Sequence, residues 1–205
     1  MAPGLDEESV RGFVGMVKQR MIPRLSFVGS SEKTKSVIEG SFRRQIAILE
    51  RHLAARRYLF GARPAFADFG LFAQLYQCST DPTPGAILRS EAPGALAWTK
   101  RMLDPCTEGG FESWNALAPT LLPLLREEIG AIFLPWSDAN AKALAAGERE
   151  FTLALEGRAF TQETQKYHAK SLAALRARYA DVVDKSALDP VLREAGCRQW
   201  LNMGL

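Results

Sequence analysis

The side chains best suited to nucleophilic, acid–base or metal chemistry are two histidines, His52 and His168, and three cysteines, Cys78, Cys106 and Cys197. Neither histidine has a Cys, Asp or second His at metal-ligand spacing, so no metal site is expected. Both histidines read as structural or exposed rather than catalytic. Cys78 reads as a small apolar filler rather than a nucleophile, Cys106 as a loop thiol, and Cys197 as a thiol whose pKa the adjacent Arg198 would lower. None has an evident base partner. The chain holds no P-loop, no GxGxxG after a strand and no GxSxG elbow. No catalytic residue is therefore assigned. What remains is aromatic and apolar. Phe13, Met16, Tyr76, Trp114, Phe133, Trp136 and Tyr167 either line an apolar pocket between helices or belong to a core or a domain interface.

Composition narrows the function classes. The chain has 205 residues, 47% hydrophobic and 24% charged, with net charge +3. Those are globular values, and the length is enough to bury a core without disulfide or metal. The basic residues are spread along the chain, which argues against nucleic acid as a partner. No run is long and apolar enough to cross a membrane. Met1 to Leu25 lacks a signal-peptide core, and the odd, scattered cysteines suit a reduced, cytoplasmic setting.

Helices must position whatever site exists. Residues 6–21 read as a first helix, with Asp6, Glu7 and Glu8 at its start and Lys18 and Arg20 at its end. Val10, Phe13, Val14 and Val17 form its apolar face. Pro23 ends it. In 33–57 the residues Ile38, Phe42, Ile46, Leu49 and Leu53 recur at helical spacing as one stripe. Arg43, Arg44, Glu50 and Arg51 lie off that stripe and read as a solvated face. Residues 58–77 centre the chain: Phe66, Phe69, Leu71, Phe72, Leu75 and Tyr76 make one segment apolar on nearly every face, which predicts a helix buried on all sides. On that reading Phe69→Ala costs about 3–5 kcal/mol. Asp68 lies three residues past the cap position, Ala65, and closes half of a capping box. Asp81 to Gly85 reads as a proline-stiffened loop and 86–91 as a short helix. Pro93 starts a helix with Trp98 as core packing. Pro119 starts another, which Pro135 kinks or divides. Residues 150–162 alternate and turn at Glu156–Gly157, a β-hairpin that must pack on helices. Helices follow at 165–179, with Tyr167, Leu172 and Leu175 inward, and at 187–195.

A Leu-rich helix, then Tyr-Leu-Phe-Gly ending at Gly61, then Pro64 and an Ala-Asp-Phe helix start resembles the C-terminal, all-helical domain of glutathione S-transferases. Pro93, Trp98 and Arg101 stand where that family has a Pro-started helix carrying an Ala-Trp pair toward an Arg. Ala65 departs from the family's Ser or Thr cap. The hairpin resembles a feature of one bacterial subgroup, similar from about Lys33 to the end. The resemblance implies an all-α bundle of seven to nine helices with an inserted hairpin, a single unit over 1–205 with the hairpin and last helices as an appendage. Gly61, Pro64, Asp68 and Trp98 are then a structural signature. It also implies glutathione as cofactor, held mainly by a thioredoxin-like N-terminal domain or partner chain that supplies the thiol-activating residue. The few residues before Asp6 are too short to hold such a unit. A small hydrophobic electrophile would be the substrate, and a homodimer is common in the family. In this reading the chain supplies the hydrophobic-substrate side and is inactive alone. Two alternatives stand beside it. One is a stand-alone helical module binding a partner protein or apolar ligand. The other is a cofactor-free isomerase or cyclase needing Tyr76 or Asp81 in the pocket.

Overall fold

The computed structural model describes residues 6–202; the stretch before Asp6, on which one expectation above rests, lies outside them. Helix α1 (Glu7–Met21) is capped by Asp6, whose Oδ1 accepts from the Ser9 amide at 2.8 Å. It packs on the 3-10 run that follows, Ile22–Val28. None of its residues is buried. Gly29 ends the run at φ 71°, and an added Cβ would stand 2.7 Å from the Phe160 ring and from Gln162. Both the left-handed backbone and the close approach therefore demand glycine there. Thr34 holds this corner by donating to the Gly29 carbonyl at 2.5 Å.

Helices α2 (Lys35–Leu53), α3 (Phe66–Thr80), α4 (Pro82–Glu91) and α5 (Pro93–Arg101) enclose the first core. Ile46, Leu49 and Leu53 of the α2 stripe join Tyr58, Leu59, Leu75, Leu88 and Trp98 in it. Glu50, off the stripe, accepts from the Gly94 and Ala95 amides at 3.0 and 2.9 Å. It satisfies the orphan donors of the α5 N-terminus, so it is a cap rather than a solvated charge. Asp81 caps α4 through the Thr83 amide, and Pro82 and Pro84 lie in its first turn, where a missing N–H costs nothing. The expected loop at 81–85 is therefore the start of a helix.

Helix α3 departs from expectation. Its side toward α4 and α5 buries Asp68 and Leu75. Phe66, Phe69 and Tyr76 are 87%, 47% and 38% exposed. The helix lies at the edge of the bundle, with neighbours on part of its circumference, so apolar character all round did not mean burial all round. Its start is tied from within. Asp68 is fully buried and accepts from the Leu59 and Ala65 amides, both at 2.9 Å, and from Trp98 Nε1 at 3.2 Å. Gly61, at φ 132°, lies too close to the Gly110 carbonyl for any side chain.

From Trp114 to Ala145 the backbone is one continuous helical rod: α6 (Trp114–Pro123), a π-helical stretch (Leu124–Phe133) and α7 (Leu134–Ala145). Pro119, Pro123 and Pro135 cannot donate to an α-helical ladder. The wider π turns lie between them, and no break occurs at Pro135. Gly130 in the π stretch touches the turn at Ala195, whose carbonyl would be 2.1 Å from an added Cβ. Strands β1 (Glu150–Leu155) and β2 (Arg158–Glu163) pair antiparallel, with Leu155 opposite Arg158. Glu156 and Gly157 both have positive φ, as a two-residue hairpin turn of this hand requires. Helices α8 (Lys166–Ala180), α9 (Leu188–Glu194) and α10 (Arg198–Leu201) complete the chain. A second core joins α7, α8 and the C-terminal turns through Leu134, Leu172, Tyr179, Cys197 and Leu201. On α8 only Leu172 of the expected inward set is buried. Tyr167 is 78% exposed and Leu175 is also exposed, because this helix is covered on one narrow side.

The two α3 positions should separate sharply. Asp68→Ala strands three donors in a dry site and should cost about 3 kcal/mol or more. Phe69→Ala should cost less than about 1.5 kcal/mol, since half its surface is already in water. Urea titrations of both variants check this, and equal losses would contradict the placement of α3.

Candidate functional site

The hairpin, the 22–28 run, the first half of α2 and the π stretch leave a cleft of about 500 Å³ between them. That is the size of a small-molecule site. Its walls are apolar: Val28 from the 3-10 run, Ile38 and Phe42 from α2, Phe133 and Trp136 from the rod, and Phe160 from β2. Beneath the hairpin, Val37, Leu155 and Phe160 form a small third core with Ile132, Trp136 and Leu153 against it. The α2 stripe thus changes role along its length. Its second half is core, while Ile38 and Phe42 are left as pocket wall.

Polar groups gather at one end. Glu128, buried on the rod, accepts from Ser41 Oγ at 2.5 Å, Gln45 Nε2 at 3.3 Å and Arg44 Nε at 2.7 Å. Arg44 also faces Glu156 of the hairpin turn, 2.5 Å away. Burial works against the Arg44 charge, but the two carboxylates outweigh it and raise its pKa further above the ordinary value. Gln162 is fixed from both sides: its Oε1 accepts from Trp136 Nε1 at 3.0 Å, and its Nε2 donates to the Phe27 carbonyl at 2.7 Å. Gln165 and His168 stand at the rim. The His168 ring meets Trp136 edge-on, 4.9 Å between centroids.

Of the pocket set expected from sequence, Trp136 lines this cleft, as does Phe133. The others are elsewhere. Phe13 and Met16, each 59% exposed, lie on α1. Tyr76 is on the open side of α3, Trp114 begins α6 half-buried, and Tyr167 points away on α8, 6.1 Å from the His168 ring. A shared aromatic character did not bring them together, because they belong to four separate helix faces. The residues missed were Ser41, Gln45, Glu128 and Gln162. Ser41 and Gln45, four apart on α2, share a helix face beside Ile38 and Phe42; that spacing was the available signal. Glu128 gave none, since its partners are more than eighty positions distant.

Two of the three thiols are held in the protonated, less nucleophilic form. Burial, then the nearby Asp81, pushes the half-buried Cys78 thiol above its ordinary pKa. Burial does the same to Cys197, contrary to the expected lowering by Arg198. Arg198 is instead engaged by Asp189 at 2.8 Å. Cys106 donates its amide to the Tyr58 hydroxyl at 2.8 Å. Among the described residues no group of three or more His, Cys, Asp or Glu could hold a metal, and no helix is long and apolar enough to cross a membrane.

His52 is fully buried at the centre of the first core. Its Nε2 lies 2.8 Å from the Leu59 carbonyl, which can only accept, so Nε2 carries the proton. Nδ1 then accepts from the Thr120 hydroxyl at 2.8 Å. Burial, with Arg56 adding repulsion, holds its pKa below 6.5.

Residues 29–101 match the family model described as "Glutathione S-transferase, C-terminal domain". The match spans a minority of the chain, from Gly29 through α5, and takes in the first core, the Asp68 start of α3 and the α2 wall of the cleft. Over those residues the chain is similar to the glutathione S-transferase C-terminal domain. The mostly helical fold around it, with its small antiparallel sheet, is of the same class. No curated protein and no solved structure matches the chain.

The His52 geometry sets a pH dependence. The unfolded chain takes up the proton more readily than the folded one, so this contribution to stability is complete above about pH 6.5 and is lost as pH falls below it. Melting temperature should therefore drop between about pH 7 and about pH 5, and His52→Gln should flatten that drop while lowering the curve as a whole. Parallel curves for the two proteins in a calorimetric series would contradict it.

Proposed function

We propose that this chain is the hydrophobic-substrate side of a glutathione transferase-like enzyme, with glutathione binding and thiol activation supplied by a thioredoxin-like unit. Such an enzyme adds a thiolate to an electrophile, and the thiolate must be generated by a nearby hydrogen-bond donor or cation. Cys78, Cys197 and His52 are not so placed. Cys78 and Cys197 are pushed toward the thiol form, and His52 is locked neutral in the core. The chain's part is to bind and orient: a shaped apolar cleft with a few convergent polar groups.

The observation that carries this reading is the uncovered apolar face leading up to the cleft. Val10, Phe13, Val14 and Met21 on α1, then Ile22, Leu25, Phe27 and Val28, are each at least 41% exposed. A fifteen-residue helix with no buried side chain gains little from tertiary packing, and an isolated helix of that length is marginal in water. So large an apolar run on a protein surface marks an interface. Since the matched family's C-terminal domain pairs with a thioredoxin-like domain, that domain is the occupant proposed. It would also roof the cleft, because Phe27 and Val28 belong to both surfaces. The alternative, a module that binds an apolar ligand without turnover, has one observation in its favour: the polar end of the cleft is internally hydrogen-bonded and holds no free nucleophile.

The test uses the chain with glutathione and a dinitrophenyl halide. Aryl binding should be measurable by calorimetry and cut at least about fivefold by Ile38→Trp, which adds bulk at an exposed rim position without touching the core. Conjugate should form no faster than the uncatalysed reaction until a thioredoxin-like glutathione-binding domain is supplied. Turnover by the chain alone would overturn the division of labour. Absence of aryl binding would overturn the assignment of the cleft.

A further inference from the structure

We infer that the cleft selects aromatic ligands carrying a hydrogen-bond donor, best a cationic amine, and disfavours aromatic carboxylates; this rests on the cleft being the electrophile pocket. Among the described residues, Glu128 is the one formally charged side chain that lines it. An ionised carboxylate offers about four acceptor positions. Three are taken, by Ser41 Oγ, Gln45 Nε2 and Arg44 Nε. The fourth, on Oε1, receives no donor from a described residue, and Glu128 lines the cleft from which a ligand could supply one.

The charge count points the same way. Arg44 stands between two carboxylates, Glu128 on one side and Glu156 on the other. Within this group of three, one guanidinium is shared by two carboxylates, so it does not fully offset the Glu128 charge at the cleft wall. Gln45 adds to the bias: its Nε2 is spent on Ser41 and Glu128, while its carbonyl oxygen accepts from no described residue. A ligand N–H or O–H arriving here finds two acceptors. A ligand carboxylate finds a carboxylate and a carbonyl, and Arg44 behind them is already engaged by two carboxylates.

The walls choose the rest of the ligand. Phe42, Phe133, Trp136 and Phe160 present ring faces and edges, which suit a flat aromatic body and favour a cation near their faces. Gln162, whose amide is held from both sides, keeps Trp136 in place. The chain as a whole carries charge +3 and would draw in anions non-specifically. A preference for the amine must therefore come from the cleft itself.

The experiment compares 2-naphthylmethylamine, 2-naphthoate and 2-ethylnaphthalene by calorimetry at neutral pH, on the wild type, Glu128→Gln and Ile38→Trp. The amine should bind at least about tenfold more tightly than the carboxylate, with the neutral hydrocarbon between them. Glu128→Gln should bring the two charged ligands within about threefold of each other. Ile38→Trp should weaken all three. If Glu128→Gln fails to fold, the wild-type ranking decides alone. Equal binding of amine and carboxylate, still blocked by Ile38→Trp, would overturn the selectivity while leaving the pocket. A tighter carboxylate would do the same. If none of the three binds, the pocket reading itself fails.

Discussion

The Asp68 carboxylate ties the first core together. It is completely buried, and three donors from three parts of the chain converge on it: the Leu59 amide before α3, the Ala65 amide at the α3 cap and the Trp98 indole of α5. A buried carboxylate is tolerated only with such partners. One step away, the Leu59 carbonyl accepts from His52 of α2, and His52 takes the Thr120 hydroxyl of α6. A single path of hydrogen bonds therefore runs through four helices. Side chains at that depth have few ways to be satisfied, so the path fixes how the helices register as well as how strongly they pack.

From that frame the cleft follows. α2 is held to the core by its second half, which leaves Ile38 and Phe42 standing clear. The hairpin closes the opposite side, and it can do so only because Gly29 lets the chain turn directly under Phe160 and Gln162. A two-stranded hairpin is marginal by itself. Here Phe151, Leu155 and Phe160 are buried, and Arg44 of α2 reaches Glu156 at its tip. The wall of the site is thus made from an element that would not hold its shape without the site's other wall.

Much of this frame was legible in the residues. Asp6, Pro93, the α2 periodicity and the Glu156–Gly157 turn all act locally, and each stands within a residue or two of where its chemistry put it. The misreadings share a cause. Apolar content on α3 and α8 says that a side chain would prefer burial; whether a neighbour is there to bury it is a tertiary fact. Phe69 and Tyr167 are exposed for that reason. Glu50 and Glu128 were invisible for the converse reason, since each charge is answered by groups more than forty positions away. The prolines of the 114–145 rod misled differently: each breaks an α-helical ladder, and the chain takes the wider π path instead.

Glu128 is a buried carboxylate on the wall of an apolar cleft, paired with a half-buried arginine. A third of the Arg44 side chain stays exposed, so the carboxylate bears most of the desolvation cost and its partly hydrated partner returns little of it. An apolar pair of similar volume would serve stability as well. The pair is also imperfect, since Arg44 Nη2 is buried without a partner of good hydrogen-bond geometry. Stability alone therefore gives no reason to place a carboxylate on a cleft wall, held by three donors and with one acceptor position still open. Selection of a ligand does give one. On the proposed reading, the same carboxylate that adds little to folding would set which aromatic molecule settles against it, because a ligand without a donor leaves its fourth acceptor position unfilled.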